Sequence, residues 1–331
     1  MKYLFFSILF LLSVTSCETD FDVNANWQEV TVVYGLLNPN QQYQLIKINK
    51  AFLGDGNALE IASEFADSIN YNPSDLIVTL FKVNESSFNS YEKVDSIILD
   101  TVMITKPDGV FSTENNIIYS CSTSDNFFNG NSSYRLEIFN LKTGHTVNSF
   151  TEIINDGGFN GVSSQFPWGL YNPIFVDSLK FVSKRIEWLP SDNGAIYQLD
   201  VVVNYSENGI IDSLVWTQPA VEPSQINSNS DISLFLDSEI FFQYLTNNLS
   251  KNTSKEFLDL DLVMTVGAKD LQTYINVNKP FSGIVQERPV FSNINNGIGL
   301  FSSRYTYREN GIRLNQNTLN YLKNNLDLGF E

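Results

Sequence analysis

Residues 195–217 carry the clearest folding signal of the chain and read AIYQLDVVVNYSENGIIDSLVWT. Apolar or aromatic side chains occupy every second position of the first half, namely Ala195, Tyr197, Leu199, Val201, Val203 and Tyr205. This period of two predicts a β-strand with one face on a core and the other toward water. Asn208-Gly209 then favours the positive φ angles of a tight hairpin turn. The stretch therefore predicts an antiparallel hairpin that returns along Ile210 to Thr217.

Two further stretches of the second half repeat this signal. From Leu258 to Val266 every second residue is apolar and is expected to face inward, whereas Asp259 and Asp261 lie on the opposite face. Near the end of the chain, Asn310-Gly311 predicts a second tight hairpin, with Gly299–Tyr307 as its first strand.

The first half of the chain contains short apolar segments that are separated by turn residues. They lie at Glu29–Gly35, Tyr43–Asn49, Leu76–Val83, Val94–Ile104, Ile117–Cys121, Tyr134–Leu141 and His145–Glu152. About seven short strands at this spacing predict a β-sandwich of the immunoglobulin or transthyretin kind.

Residues 155–161, which read NDGGFNG, are the strongest chain breaker and predict a domain boundary. We therefore expect a β-sandwich domain over residues 27–155 and a second, antiparallel β-rich domain over residues 162–331. The alternative is a long loop inside one larger β structure. In both cases the expected fold class is mainly β.

A few short helices are predicted, all of them in the second half. Asp237 is a candidate N-cap. The inward residues of the helix behind it are expected to be Ile240, Phe241, Tyr244 and Leu245. The segments 268–275 and 319–326 also carry apolar residues at helical spacing.

The first residues have the layout of a bacterial lipoprotein signal. Lys2 is followed by the apolar run Tyr3–Val14 and then by Thr15-Ser16-Cys17. As a helix this run would span roughly 18 Å, which is shorter than the ~30 Å hydrocarbon core of a bilayer. We therefore expect residues 1–16 to be a cleaved signal peptide and Cys17 to carry a diacylglycerol and a further acyl chain. The alternative is an ordinary secretory signal with a chance cysteine.

Residues 17–26 are expected to form an acidic tether, which begins Cys17-Glu18-Thr19-Asp20-Phe21-Asp22. An acidic stretch behind a lipidated cysteine resembles the surface-export signal of some Gram-negative lipoproteins. That resemblance implies an outer-membrane protein that is lipid-anchored and exposed at the cell surface. The alternative is a spacer without a role of its own.

The chain is strongly acidic, and its cysteines are few. It carries 37 Asp and Glu against 20 Lys and Arg, a net charge of −17. This balance argues against nucleic acid and against an anionic lipid surface as ligands. If Cys17 is acylated, Cys121 is the one remaining thiol, and no disulfide is possible. We expect Cys121 to be buried in a strand, with a catalytic thiol as the alternative.

The sequence lacks the usual catalytic and metal-binding patterns. It contains one histidine, His145, and neither a Gly-x-Ser-x-Gly motif nor a Gly-rich phosphate loop. We therefore expect no catalytic residue, no cofactor and no metal site. The alternative is a glycan hydrolase in which a carboxylate pair such as Asp259 and Asp261, about 7 Å apart along a strand, supplies acid–base chemistry.

Aromatic residues offer a candidate binding surface. Trp168 and Tyr171 lie in the loop-like cluster Phe166-Pro167-Trp168-Gly169-Leu170-Tyr171. Exposed aromatic side chains on a loop bind glycans or protein partners, so these two residues are the candidate ligand or partner surface. The alternative is that they fill the seam between the two predicted domains.

Five triplets have the form Asp, then Ser or Thr, then an aliphatic residue. They begin at Asp67, Asp95, Asp100, Asp177 and Asp212. These triplets resemble the O-glycosylation sites of some Gram-negative envelope proteins, which implies sugar on the surface.

Two segments carry a family resemblance. Val30–Leu37 reads VTVVYGLL, and residues 289–301 read PVFSNINNGIGLF. Together with Cys17 and its acidic follow-on, they resemble a family of uncharacterised Gram-negative outer-membrane lipoproteins that share a "Ser-Asn-Ile…Gly-x-Gly-x-Phe" segment. Members are often encoded beside TonB-dependent receptors, which implies such a receptor as partner and nutrient uptake as the setting.

These observations together predict a lipid-anchored, non-enzymatic envelope protein that binds a partner or ligand beside an outer-membrane transporter. The two alternatives are a glycan hydrolase with paired carboxylates and a structural protein of envelope assembly.

Overall fold

The computed structural model describes residues 30–51, 69–86, 90–105, 116–123, 127–128, 132–154, 156–223, 232–251, 253–280 and 290–331. The fold is mainly β, as the alternating patterns predict. Its first-half strands are β1 (Val30–Leu37), β2 (Tyr43–Ala51), β3 (Leu76–Ser86), β4 (Ser90–Ile98), β5 (Asp100–Met103), β6 (Ile117–Ser122), β7 (Ser133–Asn140) and β8 (Thr146–Glu152). The later strands are β9 (Phe159–Asn160), β10 (Lys184–Trp188), β11 (Gly194–Glu207), β12 (Ile210–Thr217), β13 (Ile232–Leu236), β14 (Lys255–Ala268) and β15 (Ile298–Ile312).

The described strands form three sheets. The largest has the order β12-β11-β14-β15-β1-β2-β6-β5, the second has the order β4-β3-β7-β8, and the third has the order β13-β10-β9. Strand β1 runs parallel to β15, and its other pairing, with β2, is antiparallel as in a hairpin.

The first core lies between the four-stranded sheet and the β1-β2-β6-β5 end of the eight-stranded sheet. Val33 and Ile46 reach it from the large sheet, and Leu80 and Leu136 reach it from the small one. All four side chains are buried, because alternate residues of each strand point into the space between the layers. This two-layer arrangement agrees with the predicted β-sandwich.

The second core lies on the β11-β14-β15 end of the large sheet. Trp188 from the three-stranded sheet packs there with Tyr197 and Leu262 from the large sheet. Helices cover the same core, with Phe241 and Leu322 as buried contacts.

Strand β15 contributes to both cores. Its beginning pairs in parallel with β1, from Val32 opposite Ile298 to Leu37 opposite Ser303. Its later part pairs antiparallel with β14. Phe301 belongs to the first core and Tyr307 to the second. The two halves of the chain therefore share one sheet, and the predicted domain boundary at residues 155–161 stays a prediction.

The segment before β15 fastens this shared strand. The Asn293 side chain donates to Phe301 O at 2.6 Å and accepts from Phe301 N at 3.0 Å. Its Nδ2 also lies 2.8 Å from Asp270 Oδ2. Asn295 exchanges two backbone hydrogen bonds with Asn148 of β8. Residues 293–301, which lie in the segment that carries the predicted family resemblance, thus form a joint segment between the two cores.

Of the two predicted Asn-Gly hairpins, one is confirmed and one is wrong. Asn208 and Gly209 have φ angles of 51° and 83° and connect β11 to β12 as predicted. By contrast, β15 continues through Asn310-Gly311 without reversing. Its register with β14 shifts there, and Gly311, with φ 74°, donates its N–H to Asp261 Oδ1 at 2.9 Å. Gly311 adopts this left-handed conformation within a β-bulge. Like a tight turn, such a bulge requires a residue that tolerates a positive φ angle.

A second β-bulge makes the predicted inward face of β14 wrong at its start. Leu258 is partly exposed, whereas Leu260 and the later apolar residues of the strand are buried. The register with β11 shifts between Asn204 and Tyr205, which inserts an extra residue and inverts the alternation. Phe257 consequently packs on the second core in place of Leu258.

The predicted helices are confirmed as α1 (Ser238–Asn248), α2 (Lys269–Asn278) and α3 (Gln316–Asn325). Asp237 Oδ1 caps α1 by accepting from Glu239 N at 2.9 Å and Ile240 N at 3.1 Å. Phe241 and Leu245 are buried and Tyr244 packs on the second core, as predicted. The predicted inward Ile240 is exposed, because the buried stripe of the helix runs through Ser238 and Phe242 on the other side of Phe241 and Leu245. Within the described ranges no helix is long and apolar enough to cross a membrane.

Candidate functional site

Trp168, one of the two predicted surface residues, lies in the second core. Its side chain is only 3% exposed. Its backbone forms a strand-like bridge to the end of β15, since Trp168 N donates to Arg313 O at 2.7 Å and Asn315 N donates to Trp168 O at 2.8 Å. The expectation of an exposed tryptophan is therefore wrong, and the exposed aromatic residue of this cluster is Phe166, at 73%.

Tyr171, the other predicted surface residue, is half-buried and supports a neighbouring loop. Its ring stacks on Tyr321 of α3 at 4.1 Å between centroids and meets the ring of Phe181 edge-on at 5.8 Å. Phe242 of α1 lies 4.8 Å from Tyr321. We call these four side chains, Tyr171, Phe181, Phe242 and Tyr321, the aromatic base. Interlocking rings of this kind hold the backbone above them in one position.

The apolar loop, residues 172–180, leaves and re-enters the fold at the aromatic base. Asn172 N donates to Lys180 O at 2.9 Å, which closes the loop. Four large apolar side chains within it are exposed: Ile174 at 83%, Phe175 at 48%, Val176 at 66% and Leu179 at 68%. Such a concentration of exposed apolar side chains is typical of an interaction site.

Sequence reasoning missed the apolar loop. Ile174-Phe175-Val176 is a short apolar run of the kind that is usually a buried strand, so its composition alone indicates burial. The available signal is the flanking chemistry: Asn172-Pro173 and Asp177-Ser178 are turn-forming pairs on both sides, which leaves too little length for a strand.

A second exposed apolar surface lies on the outer face of the four-stranded sheet. We call it the sheet patch, and it consists of Ile77, Ile98, Phe139 and Leu141. Ile77 of β3 pairs directly with Phe139 of β7, and Ile98 of β4 pairs with Thr79, two residues along β3 from Ile77. Residues on one face at these positions are neighbours, so the sheet patch is continuous.

The candidate carboxylate pair is engaged in hydrogen bonds on the strand surface. Asn204 Nδ2 of β11 donates to Asp259 Oδ1 at 2.7 Å and to Asp261 Oδ2 at 3.0 Å. Asp261 Oδ1 also accepts the bulge N–H of Gly311. The two carboxylates thus link β11, β14 and β15 through hydrogen bonds. This arrangement does not favour the acid and base roles of a glycan hydrolase.

A small cavity lies beneath the start of α1, with Trp168, Trp216 and Phe241 among its walls. Its empty volume out to solvent is about 220 Å³, and its enclosed part has room for about one water molecule. The polar residues beside it are occupied, since Asp237 caps α1 and Ser238 Oγ donates to Val182 O. One carboxylate without a partner carboxylate does not form a glycosidase cleft.

His145 and Cys121, the other two candidate reactive side chains, contribute to the structure of the fold. His145 Nε2 lies 3.1 Å from Asn296 O in the joint segment. Cys121 is buried in β6 as expected, and burial raises the pKa of its thiol to about 11. Among the described residues no group of three or more His, Cys, Asp or Glu side chains could hold a metal ion.

The residues of the predicted anchor lie outside the described residues. This applies to the signal peptide 1–16, to Cys17 and to the acidic tether 17–26. Lipidation of Cys17 therefore stays a prediction.

No protein-family model matches the chain, and no curated protein is found to be similar to it.

Proposed function

We propose that this protein is a lipid-anchored, non-enzymatic component of the cell envelope that binds a protein partner beside an outer-membrane transporter. The anchor and the transporter setting rest on the sequence around Cys17 and on the resemblance to outer-membrane lipoproteins. The binding role rests on the exposed apolar surfaces of a rigid β fold.

The sheet patch is the observation that carries this proposal. An antiparallel sheet with one face on a core normally presents polar side chains on its other face. Here Ile77, Ile98 and Phe139 face outward on three neighbouring strands. An apolar area on a paired sheet is suited to binding another protein surface, because both partners remove apolar surface from water without reorganising.

The test compares two variants of the complete chain in its native membrane. Ile98→Ser with Phe139→Ser removes the centre of the sheet patch, and Met103→Ser removes an exposed apolar side chain on β5, outside the patch, as the control. Complexes are solubilised in mild detergent and separated by size, with a TonB-dependent receptor, the partner that the family resemblance implies, as the candidate. We expect the double variant to lose the complex and the control to retain it.

A separate variant tests the anchor. Cys17→Ser should lower the membrane-bound fraction of the protein well below that of wild type, and mass spectrometry of the wild type should find acyl chains on the first mature residue. Wild-type protein that is recovered alone, or a complex that survives the double substitution, would refute the binding role. Membrane association of Cys17→Ser at the wild-type level would refute the anchor.

A further inference from the structure

We propose that the apolar loop inserts into the surface of a lipid bilayer and forms a second membrane contact of the protein. This inference rests on the lipid anchor of the proposed function, which would hold the chain at that surface. It concerns a different part of the molecule from the sheet patch, and its occupant is lipid.

The distribution of the side chains favours lipid over a protein surface. Ile174, Phe175 and Val176 are consecutive and all exposed in a turn, and the exposed Leu179 follows in the short 3-10 helix Asp177–Lys180. The tip of the loop is therefore an unbroken apolar run that projects into solvent. A protein partner would cover one side, whereas acyl chains surround an inserted loop on every side.

Three N–H groups of the loop backbone are paired within the loop itself. Ile174 N donates to Asn172 Oδ1 at 3.1 Å, Phe175 N donates to Asn172 O at 3.4 Å, and Leu179 N donates to Val176 O at 3.1 Å. Pro173 has no N–H to satisfy. Internal pairing lowers the cost of moving a loop into lipid, where each unsatisfied group costs several kcal/mol in general.

Rigidity and charge set the depth of insertion. The aromatic base and the closing bond between Asn172 and Lys180 hold the tip away from the body of the protein. Lys180 ends the loop, and its charged group remains at the headgroup level. The contact is therefore shallow, and it depends on apolar side chains and not on attraction to anionic lipid.

The first experiment uses the complete, lipidated chain on phosphatidylcholine vesicles. Phe175→Cys receives an environment-sensitive fluorophore, and Phe166→Cys, an exposed aromatic position outside the loop, is the matched control. Labelling is selective because Cys121 is buried with a raised pKa and Cys17 is acylated in this proposal. We expect lipids with a shallow spin label to quench the fluorophore at 175 and not at 166.

The second experiment measures the loop without the anchor. The Cys17→Ser chain is titrated with phosphatidylcholine vesicles, and Ile174→Ser with Val176→Ser should weaken its partition about tenfold, because two large apolar side chains no longer enter lipid. Phe166→Ser should leave the partition unchanged.

The outcomes separate the two proposals. Wild-type protein that fails to sediment with vesicles would remove the anchor, and the second experiment would then decide the loop. An unquenched fluorophore at 175 on protein that does sediment overturns the loop contact and leaves the anchor standing. Equal partition of the loop variant and its parent overturns it as well.

Discussion

Individual residues are most constrained at the joint between the two cores. Gly299 has a φ of 121°, and a Cβ atom built there would lie 2.0 Å from Val33 O on the paired strand. At Gly297 the corresponding distance to Thr31 O is 2.7 Å. These backbone atoms belong to the parallel pairing of β1 with β15 or adjoin it, so they cannot move aside without loosening the shared sheet.

Substitution of Gly299 should therefore be severe. We expect Gly299→Ala to lower the free energy of unfolding by at least about 3 kcal/mol, because the new methyl group collides with a backbone carbonyl in a conformation that alanine disfavours. Urea denaturation followed by circular dichroism measures the change. Gly158→Ala, where a Cβ atom meets nothing within 4 Å, is the control and should stay within about 0.5 kcal/mol of wild type.

Residue types alone could not reveal where Trp168 lies. The sequence cluster around it has the composition of an exposed loop, and Phe166 does fit that prediction. Trp168 is buried because its backbone pairs with residues at the end of β15, far away in the chain. Such a partner is invisible to any local pattern, whereas the N-cap Asp237 depends only on its own neighbours and was predictable.

Among the secondary-structure elements, the β11–β12 hairpin and the start of β14 are linked by the buried ammonium group of Lys255. The Lys255 side chain is fully buried, and its Nζ lies 3.1 Å from Glu207 Oε1 and 2.7 Å from Ser250 O. It also donates to Leu328 O at 3.2 Å, which fixes the last segment of the chain. A buried ammonium group requires such a set of acceptors.

This arrangement predicts an acid-sensitive contribution to stability. Hydrogen bonds from Ser250, Thr253 and Lys255 lower the pKa of Glu207 to about 2 in the folded protein, against 4.5 for the free group. The contribution is therefore complete above pH 4.5 and is lost as the pH falls toward 2. The difference in unfolding free energy between wild type and Glu207→Gln should shrink over that interval.

Urea titrations at several pH values between 2 and 7 measure this difference. Glu256→Gln, which removes an exposed carboxylate next to Lys255 on β14, serves as the control. A wild-type minus Glu207→Gln difference that stays constant from pH 6 to pH 2 would contradict the expected linkage.

The outermost strands are protected by their own acidic residues. Strands β4 and β12 are edges of their sheets. On them, Asp95 Oδ1 accepts from Ser96 N at 2.8 Å, and Asp212 Oδ1 accepts from Ser213 N at 2.8 Å. Each carboxylate thus occupies a backbone donor and places a negative charge on an edge, which discourages pairing with other strands.

Removal of both carboxylates should make the protein self-associate. We expect Asp95→Ala with Asp212→Ala to change the unfolding free energy by less than about 1 kcal/mol per site, while dimers and larger species increase in analytical ultracentrifugation. Glu92→Ala with Glu256→Ala removes the same charge from exposed strand positions as the control. Equal sedimentation of the two double variants would show that charge alone accounts for any effect.

Element types were largely predictable, and their connections were not. Alternating residues predicted β11 because one of its faces is buried along its whole length. The prediction of a hairpin at Asn310-Gly311 was wrong because a β-bulge requires a positive φ angle as well as a turn does. Pairing with β14 determines that a bulge forms here. The sheet patch was not predictable, since its residues become one surface only through the pairing of β3, β4 and β7.

Across the whole molecule, the shared strand β15 should make the two cores unfold together. The described tryptophans, Trp168, Trp188 and Trp216, all lie in the second core, so their fluorescence reports on that core. Phe301 lies on β15 but is buried in the first core. A change at Phe301 therefore tests whether damage in one core reaches the other.

We expect Phe301→Ala to destabilise the protein by about 3–5 kcal/mol and to shift the urea midpoint of tryptophan fluorescence by the same amount as that of circular dichroism. Met103→Ala, an exposed residue on β5, should shift neither midpoint. A fluorescence midpoint that remains at the wild-type value would show that the second core unfolds independently, as two separate domains would.

The pairing of β1 with β15 also has a consequence for biogenesis. The first described strand can fill its place beside its parallel neighbour only when the last described strand has been delivered. Contacts of such long sequence separation form slowly. Until then, one edge of β1 stays open to pairing with other strands, so a chain that emerges amino end first must be kept from such pairing until β15 is complete.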